Sequence, residues 1–196
     1  MDGETLGPAH LELHRGDDLL VAGPARSGRS STLALIGQVV RRADPSAAIV
    51  ALAPRAAGSH VLQPFAPCST VTELAAAVAV VPAERPLVVL VDDAELVDDP
   101  DGALVSLLTG EANVVAAGRV DALRSAYGHW TQELRRRRRG LLLQPASDLD
   151  GDLFGLSLPR WPLAPSASGR GYLVADGSST LLQMALPASH QRDKAE

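Results

Sequence analysis

The stretch of the sequence best suited to chemistry is a glycine-bounded loop near the N-terminus. Glycines let a backbone turn with unusual dihedral angles and approach a ligand closely, so that main-chain N–H groups can surround a phosphate. The serine that ends such a loop offers its hydroxyl to Mg²⁺. We therefore predict a nucleotide-phosphate cradle, the alternative being an ordinary Gly/Ser-rich turn with an exposed arginine. The loop fits G-x-x-x-x-G-[K/R]-S and consists of Gly23, Pro24, Ala25, Arg26, Ser27, Gly28, Arg29 and Ser30, with Ser31 directly after it.

Arg29 stands where this pattern usually has lysine. A guanidinium is planar and bulkier than an ammonium group, so it can neutralise the β- and γ-phosphates but follows a transferring phosphoryl group less well. We expect nucleotide binding to survive this replacement better than catalysis does.

A pair of carboxylates directly follows the densest strand pattern of the chain, residues 87–91. In this Walker-B-like pattern we assign Asp92 to Mg²⁺, which such an acid usually holds through water at the carboxyl end of the strand. Asp93 takes the next position, which in hydrolysing members of the additional-strand P-loop class is typically a glutamate that orients the attacking water. Asp93 is one methylene shorter, and Glu95 is a possible substitute. The alternative for these acids is a solvated corner between a strand and a helix.

The elements that must position these residues alternate along the chain. We predict strands over 19–22, 47–52, 87–91, 113–117, 141–143, 172–174 and 181–184, and helices over 31–42, from Thr70 or Thr72 to Val81, from 99 to about 108, and over 121–139. Apolar runs without alternation are typical of a sheet covered on both faces, and strands separated by helices favour parallel pairing. The predicted fold class is a three-layer α/β domain.

Composition narrows the function classes. The net charge is −5, which disfavours binding of DNA by this chain alone because phosphate contacts need Lys and Arg. Cys68 is the only cysteine, so the chain has no internal disulfide or cysteine metal cluster. His10 and His14 lack a partner at ligand spacing, which argues against zinc. The most apolar stretch, 74–91, is interrupted by prolines and charges, so we expect no membrane-inserted helix.

Taken in order, four segments resemble the FtsK/SpoIIIE translocase family, and within it the tandem ATPase domains of EccC type VII secretion proteins. Residues 19–35 resemble the P-loop unit and 87–96 the Walker B strand. Residues 114–119 lie where the family has a sensor strand ending in Thr-Gln-Arg, and 169–174 resemble its Gly-Arg-Gly segment. The resemblance covers nearly the whole chain.

This resemblance implies a RecA-like P-loop NTPase core with a mainly parallel central sheet, which binds ATP and Mg²⁺ at the interfaces of a tandem array or hexameric ring. It implies sibling ATPase domains as partners, a secreted-protein signal peptide or DNA as cargo, and a cytoplasmic location with membrane association only through other domains. Arg119 and Arg170 are candidate trans-acting arginines, since a neighbour's guanidinium can stabilise γ-phosphate charge; ordinary surface ion pairs are the alternative for both.

Departures from the family pattern lead to three functional hypotheses. Besides Arg29 and Asp93, Gly118 replaces the sensor glutamine. The leading hypothesis is an ATP-binding domain with weak or no hydrolysis inside a translocation or secretion ATPase. The others are a competent ATP-hydrolysing DNA-translocase motor and a nucleotide-free module that docks a partner peptide. We assign 1–10 as a linker, 11–186 as the ATPase domain and 187–196 as a polar tail, and we expect the chain to be a fragment or a terminal domain of a longer protein. The arginines at 135–139 are predicted to spread around a solvated helix end; a contact with a partner or a neighbouring domain, or with DNA, is the alternative.

Overall fold

A computed structural model describes residues 10–55, 60–158 and 167–185 of the chain. The proposed linker and tail lie almost wholly outside the described residues. One sheet organises the molecule. Its strands are β1 (Leu19–Ala22), β2 (Ala48–Leu52), β3 (Pro67–Cys68), β4 (Leu87–Val91), β5 (Asn113–Gly118), β6 (Gly140–Leu143), β7 (Arg170–Ala175) and β8 (Ser178–Gln183).

The strand order is β3-β2-β4-β5-β1-β6-β7-β8. The strands from β3 to β6 are parallel, whereas β7 and β8 form an antiparallel hairpin beside β6. Strand β5 therefore lies between β1 and β4. Because parallel strands share one carboxyl edge, the loops that follow β1, β4 and β5 meet there, at the position where open α/β sheets bind ligands.

Helices cover both faces of the sheet. They are α1 (Arg29–Ala43), α2 (Val71–Ala79), α3 (Ala103–Leu108), α4 (Val120–Ser125) and α5 (Thr131–Arg136), with 3₁₀ turns at Gln63–Phe65, Ala94–Leu96 and Asp148–Phe154. Leu19 and Leu20 illustrate the layering, because successive strand residues point to opposite faces. Leu19 packs with Leu33 of α1 and with Phe65, whereas Leu20 belongs to the core of the other face, with α2 to α5. The predicted three-layer α/β class with a mainly parallel sheet is confirmed.

Local signals place the helix ends. Thr70, rather than Thr72, caps α2: its hydroxyl accepts the N–H of Glu73 at 3.2 Å, and the Glu73 carboxylate accepts the N–H of Ser69 at 2.7 Å. The first of these contacts satisfies an N–H group that the first turn of the helix leaves unpaired, and the second fixes the residue before the cap. At α3, one carboxylate oxygen of Asp99 accepts the N–H groups of Leu104 and Val105 at 3.0 Å each.

The predicted single helix over 121–139 is wrong, because the structure has α4 and α5 with a break between them. In the break, Gly128 has a φ of 69°. Trp130 follows it, with 5% of its surface exposed. Its indole N–H donates to the carbonyl of Val97 at 2.8 Å. Burying this large ring and satisfying its only donor outweighs the continuous helical pattern.

At the amino edge of the sheet, a carboxyl group is buried under the start of β1. The side chain of Asp18 is fully buried, accepts the N–H of Val114 at 3.0 Å, and has Arg137 at 3.6 Å from its second oxygen. Burial raises the pKa of Asp18 to about 6, against the lowering effects of the Val114 hydrogen bond and of Arg137. Asn113 ties the same edge to the preceding segment through hydrogen bonds to the carbonyls of His14 and Asp17.

Candidate functional site

The loop that follows β1 has the backbone form expected of an anion cradle. Arg26 has a φ of 64° and Gly28 a φ of 99°, so two residues of the loop have a left-handed backbone conformation. Gly28 is required for a second reason: a Cβ there would lie 3.2 Å from the backbone nitrogen of Gly169. Helix α1 begins directly after it, with its first N–H groups facing the loop and without partners inside the helix.

A cavity of about 340 Å³ opens over this loop, a volume that accommodates a polyphosphate. Its lining is polar and cationic, as an anion requires, and includes no aromatic ring among the described residues. The lining residues are Pro24, Arg26, Gly28, Arg29, Ser30, Ser31 and Ser168. Ala25 is exposed beside the cavity, and Ser27 is buried beneath the loop with no hydrogen-bond partner for its hydroxyl within the described chain.

Ser30 and Asp92 meet although they lie far apart in the sequence. The hydroxyl of Ser30 donates to a carboxylate oxygen of Asp92 at 2.6 Å. Asp92 directly follows β4 and is only 2% exposed. Burial raises the pKa of Asp92, the hydrogen bond from Ser30 lowers it, and the negative charge of Asp93 raises it further. A buried carboxylate beside a hydroxyl offers the hard oxygen ligands that Mg²⁺ prefers, so the residues present fit this ion.

Arg29 folds back onto the loop that precedes it. One terminal nitrogen, Nη1, donates to the carbonyls of Gly23 at 2.6 Å and Pro24 at 2.9 Å, and the other, Nη2, lies 3.2 Å from Asp93. Its Nε is buried and has no partner among the described residues. The guanidinium thus holds the loop closed from inside through its two terminal nitrogens.

Asp93 is held by arginine rather than presented to water. Its backbone has a φ of 45°, which is uncommon for a residue with a side chain. The carboxylate forms an ion pair with Arg29 at 3.2 Å and lies 3.8 Å from Arg55. The oxygens of this carboxylate are therefore engaged by cations, and Asp93 does not line the cavity over the loop. Its catalytic role stays a prediction.

Glu95 fills the space that Gly118 leaves free. An ideal Cβ on Gly118 would stand 2.7 Å from the Glu95 Oε2 atom. The glutamate side chain is 4% exposed and lies 3.3 Å from the Nε of Arg119. Its Oε2 has no hydrogen-bond partner in the described segments. The glycine at position 118, where the family resemblance predicts a glutamine, therefore makes room for the side chain of Glu95.

The two candidate trans-acting arginines differ in their surroundings. Arg119 is 48% exposed and is paired with Glu95, with Asp121 a more distant 3.9 Å away. Arg170 is exposed at the start of β7. Neither lines the cavity over the loop, so a role for either needs a second chain, and both assignments stay predictions.

Sequence reasoning missed Ser168. Its hydroxyl donates to the carbonyl of Arg26 at 3.1 Å, across 142 positions of sequence, and it lines the cavity. The resemblance marked the segment that begins at Gly169, one residue later, so the signal was adjacent. No local sequence pattern identifies a serine whose hydrogen-bond partner is a backbone carbonyl far away in the sequence.

The arginine run spreads in several directions, as its spacing predicts. Arg137 faces Asp18, and Arg139 is 2.6 Å from Asp17, both at the amino edge of the sheet and remote from the loop. The other arginines of the run, Arg135, Arg136 and Arg138, line a separate cavity of about 430 Å³ together with Arg124 and the exposed Tyr127. Within residues 10–55, 60–158 and 167–185, no cluster of three or more His, Cys, Asp or Glu side chains could hold a metal. None of the described helices has the length and apolarity to cross a membrane.

The fold is that of ATPase domains from secretion proteins. No protein-family model matches the sequence, and no curated protein is significantly similar to it. Among solved structures, the cytoplasmic domain of the Thermomonospora curvata type VII secretion ATPase EccC aligns over 87% of this chain with 20% identity and a TM-score of 0.63. EssC (ATPases 2 and 3) from Geobacillus thermodenitrificans aligns over 88% with 20% identity and a TM-score of 0.69. A structure of the cytoplasmic domain of EssC aligns over 88% of this chain with 18% identity and a TM-score of 0.65.

This chain spans 24% of the EccC structure and 37% and 39% of the two EssC structures. It therefore corresponds to one part of those longer proteins. At 18–20% identity the similarity shows the fold, and at that level the resemblance to EccC-type ATPase domains is confirmed.

Proposed function

We propose that this chain is an ATP-binding domain of a type VII secretion or related translocation ATPase, with weak or no hydrolysis of its own. The observation that carries the proposal is the 2.6 Å hydrogen bond between Ser30 and Asp92, formed at the mouth of a loop with left-handed residues at 26 and 28. An ordinary strand-to-helix turn has no need of a buried carboxylate at this place, because an unpaired buried charge is costly.

The same residues define how a nucleotide is held. The loop amides would receive the phosphates, with the positive charge of Arg29 beside them, while Ser30 and Asp92 would hold Mg²⁺. The metal ion, when bound, neutralises negative charge on the β- and γ-phosphates. Asp92 remains ionised more readily once a cation is beside it, since an opposite charge stabilises the carboxylate.

Weak hydrolysis follows from what surrounds the phosphates. Asp93 is paired with Arg29 and Arg55, so its carboxylate is held by cations rather than directed at an attacking water. Arg29 itself is anchored to the carbonyls of Gly23 and Pro24 and is not free to follow a transferring phosphoryl group. With glycine at position 118, the sensor strand supplies no side chain to orient water.

Such a domain works beside others. The solved EssC structure contains ATPases 2 and 3 of one protein, and we propose sibling ATPase domains, in tandem or in a ring, as partners of this chain on the cytoplasmic side of a membrane. Arg119 or Arg170 would then reach a neighbour's nucleotide. A secreted-protein signal peptide is the proposed cargo, and the net charge of −5 argues against DNA.

Calorimetric titration with ATP, with and without Mg²⁺, tests binding. We expect Mg²⁺-dependent binding in the wild type, a loss of at least about tenfold in affinity in Asp92→Asn through the missing charge-assisted contact, and no change in the exposed control Asp98→Asn. An Asp92→Asn variant that binds Mg²⁺-ATP as well as the wild type would refute the metal assignment. No binding by the wild type at millimolar ATP would favour the nucleotide-free docking module.

Steady-state turnover separates the weak-hydrolysis proposal from the motor alternative. We expect the wild type to hydrolyse ATP far below the usual enzyme range of about 1–10³ s⁻¹, and the double variant Arg29→Lys with Asp93→Glu to hydrolyse it faster. Strong wild-type turnover that Asp93→Ala abolishes would support the motor instead.

A further inference from the structure

The turn at 167–169 supports the phosphate loop from outside. The hydroxyl of Ser168 donates to the carbonyl of Arg26 at 3.1 Å. The N–H of Gly169 donates to the carbonyl of Ser27 at 2.7 Å. Two consecutive loop carbonyls are thus bound by donors that lie more than a hundred residues away in the sequence.

These two contacts fix the direction of the peptide units that follow Arg26 and Ser27, of which the first donates its N–H, that of Ser27, to the carbonyl of Pro24 at 3.4 Å. In a trans peptide unit the C=O and the following N–H point in opposite directions. When the carbonyl of Ser27 points to Gly169, the N–H of Gly28 must therefore point away from the turn. An anion cradle needs this arrangement, because its N–H groups have to face the ligand while the carbonyls find partners elsewhere.

The supporting turn is itself anchored to the hairpin of β7 and β8. The side-chain amide of Gln183 donates to the carbonyl of Ser168 at 2.9 Å. The N–H of Met184 donates to the carbonyl of Gly169 at 2.8 Å. Gly169 takes a φ of 80°, which lets the chain reverse before β7. A continuous set of hydrogen bonds thus runs from the loop to the end of β8.

We infer that Ser168 is a positioning residue for a di- or triphosphate and that the turn at 167–169 couples occupancy of the loop to the order of the β7–β8 hairpin. The inference rests on the proposed nucleotide binding. A bound polyphosphate favours the loop conformation that Ser168 and Gly169 stabilise. By linkage it also favours the hydrogen bonds from Gln183 and Met184 that anchor the turn at 167–169 to the hairpin. Ser168 also lines the cavity, so its hydroxyl lies at the rim of the ligand's space.

The test compares Ser168→Ala with Ser168→Thr and with Ser178→Ala. Thr keeps the hydroxyl, and Ser178 is a matched control, because its hydroxyl donates to the carbonyl of Ala175 at the far end of the same hairpin. Calorimetry with Mg²⁺-ATP should show about fivefold weaker binding for Ser168→Ala, the net worth of one hydrogen bond. Thr should restore most of the affinity, and Ser178→Ala should match the wild type.

Two further readouts distinguish positioning from a general loss of structure. The melting temperature of the nucleotide-free protein should stay within about 2–4 °C in Ser168→Ala, the shift expected for no more than about 1 kcal/mol. In hydrogen exchange, Mg²⁺-ATP should slow the amides of 178–184 in the wild type and do so less at equal occupancy in Ser168→Ala.

If the wild type binds nucleotide but Ser168→Ala binds it equally well, or the hairpin amides do not respond to ATP, the inference is wrong while the proposed function stands. If the wild type does not bind nucleotide, the proposed function itself has failed. A fivefold loss that Thr does not rescue would show that the hydroxyl is not the group responsible, and would also overturn the role given to Ser168.

Discussion

Replacing Asp18 with asparagine should make the protein more stable, and increasingly so as the pH rises. The carboxyl is buried, and its pKa is raised from 3.8 to about 6 in the folded protein. A folded acid with a raised pKa holds its proton more tightly than the unfolded chain does. Below about pH 4 both states are protonated and the group contributes nothing to the pH dependence. Between about pH 4 and 7 the unfolded chain ionises first, and stability falls.

The size of this effect can be worked out from the pKa difference. A rise from 3.8 to about 6, at about 1.36 kcal/mol for each pH unit, corresponds to a loss of about 3 kcal/mol once the pH exceeds 7. Asparagine keeps an oxygen for the N–H of Val114 and avoids the buried charge. It also gives up the 3.6 Å approach to Arg137, so the gain should lie below this figure.

Urea denaturation at several pH values from 4 to 8 provides the assay. The difference in unfolding free energy between Asp18→Asn and the wild type should increase across this range and level off near pH 7. Asp17→Asn is the control: burial raises the pKa of Asp17, but hydrogen bonds from His14 and Arg139 outweigh it and leave the pKa lowered, so its contribution to stability is lost only in more acidic solution. A difference for Asp18→Asn that stays constant from pH 4 to 8 would refute the reasoning.

The other predictions concern residues around the loop. Gly118→Gln alone should destabilise the protein by about 1–3 kcal/mol, the usual result of overpacking, because its Cβ would stand 2.7 Å from Glu95 Oε2 and 3.0 Å from Leu123 Cδ1. The double variant with Glu95→Ala should recover part of this loss in the same urea assay, since the contact with Leu123 remains. Additive losses would contradict the shared-space explanation. Gly28→Ala should lower stability by at least about 1 kcal/mol and abolish ATP binding in calorimetry, since its φ of 99° excludes a Cβ without strain; unaltered binding would count against the cradle. Trp130→Phe should cost about 0.5–1.5 kcal/mol in the same urea assay, the net value of the lost indole hydrogen bond, because the Val97 carbonyl keeps its contact with His129 Nε2 at 2.9 Å; ATP affinity should be unchanged.

Much of the fold could be predicted from the sequence because its strands are continuous apolar runs. The run at 87–91 coincides with β4, and the parallel order follows from helices placed between strands. The two-residue strand β3 was missed because so short an element has no periodicity of its own. The final strand begins at Ser178 rather than 181, because its first half is polar on an exposed sheet edge and pairs through the backbone.

Some contacts of the candidate site could also be predicted from the sequence, whereas others could not. Ser30 and Asp92 could be paired from the sequence because each lies at a fixed offset from a strand end. The partners of Asp93 could not, since Arg55 lies outside any motif and reaches the acid only through the packing of β2 beside β4. The role of Gly118 in making room for Glu95 depends on the distance between two neighbouring loops, which sequence spacing does not encode.

Strand β1 lies between β5 and β6, so the first strand of the described residues pairs there with two segments that are synthesised much later. At roughly 5–20 residues per second, a ribosome needs about 5–20 s after making β1 before β5 is available. During translation the loop that follows β1 therefore has no scaffold until β5 is made, and a nascent chain released before β5 would leave β1, an apolar strand, without either of its partners. Chaperone protection of the newly made amino-terminal third should accordingly influence the yield of active protein more than protection of the carboxyl-terminal hairpin.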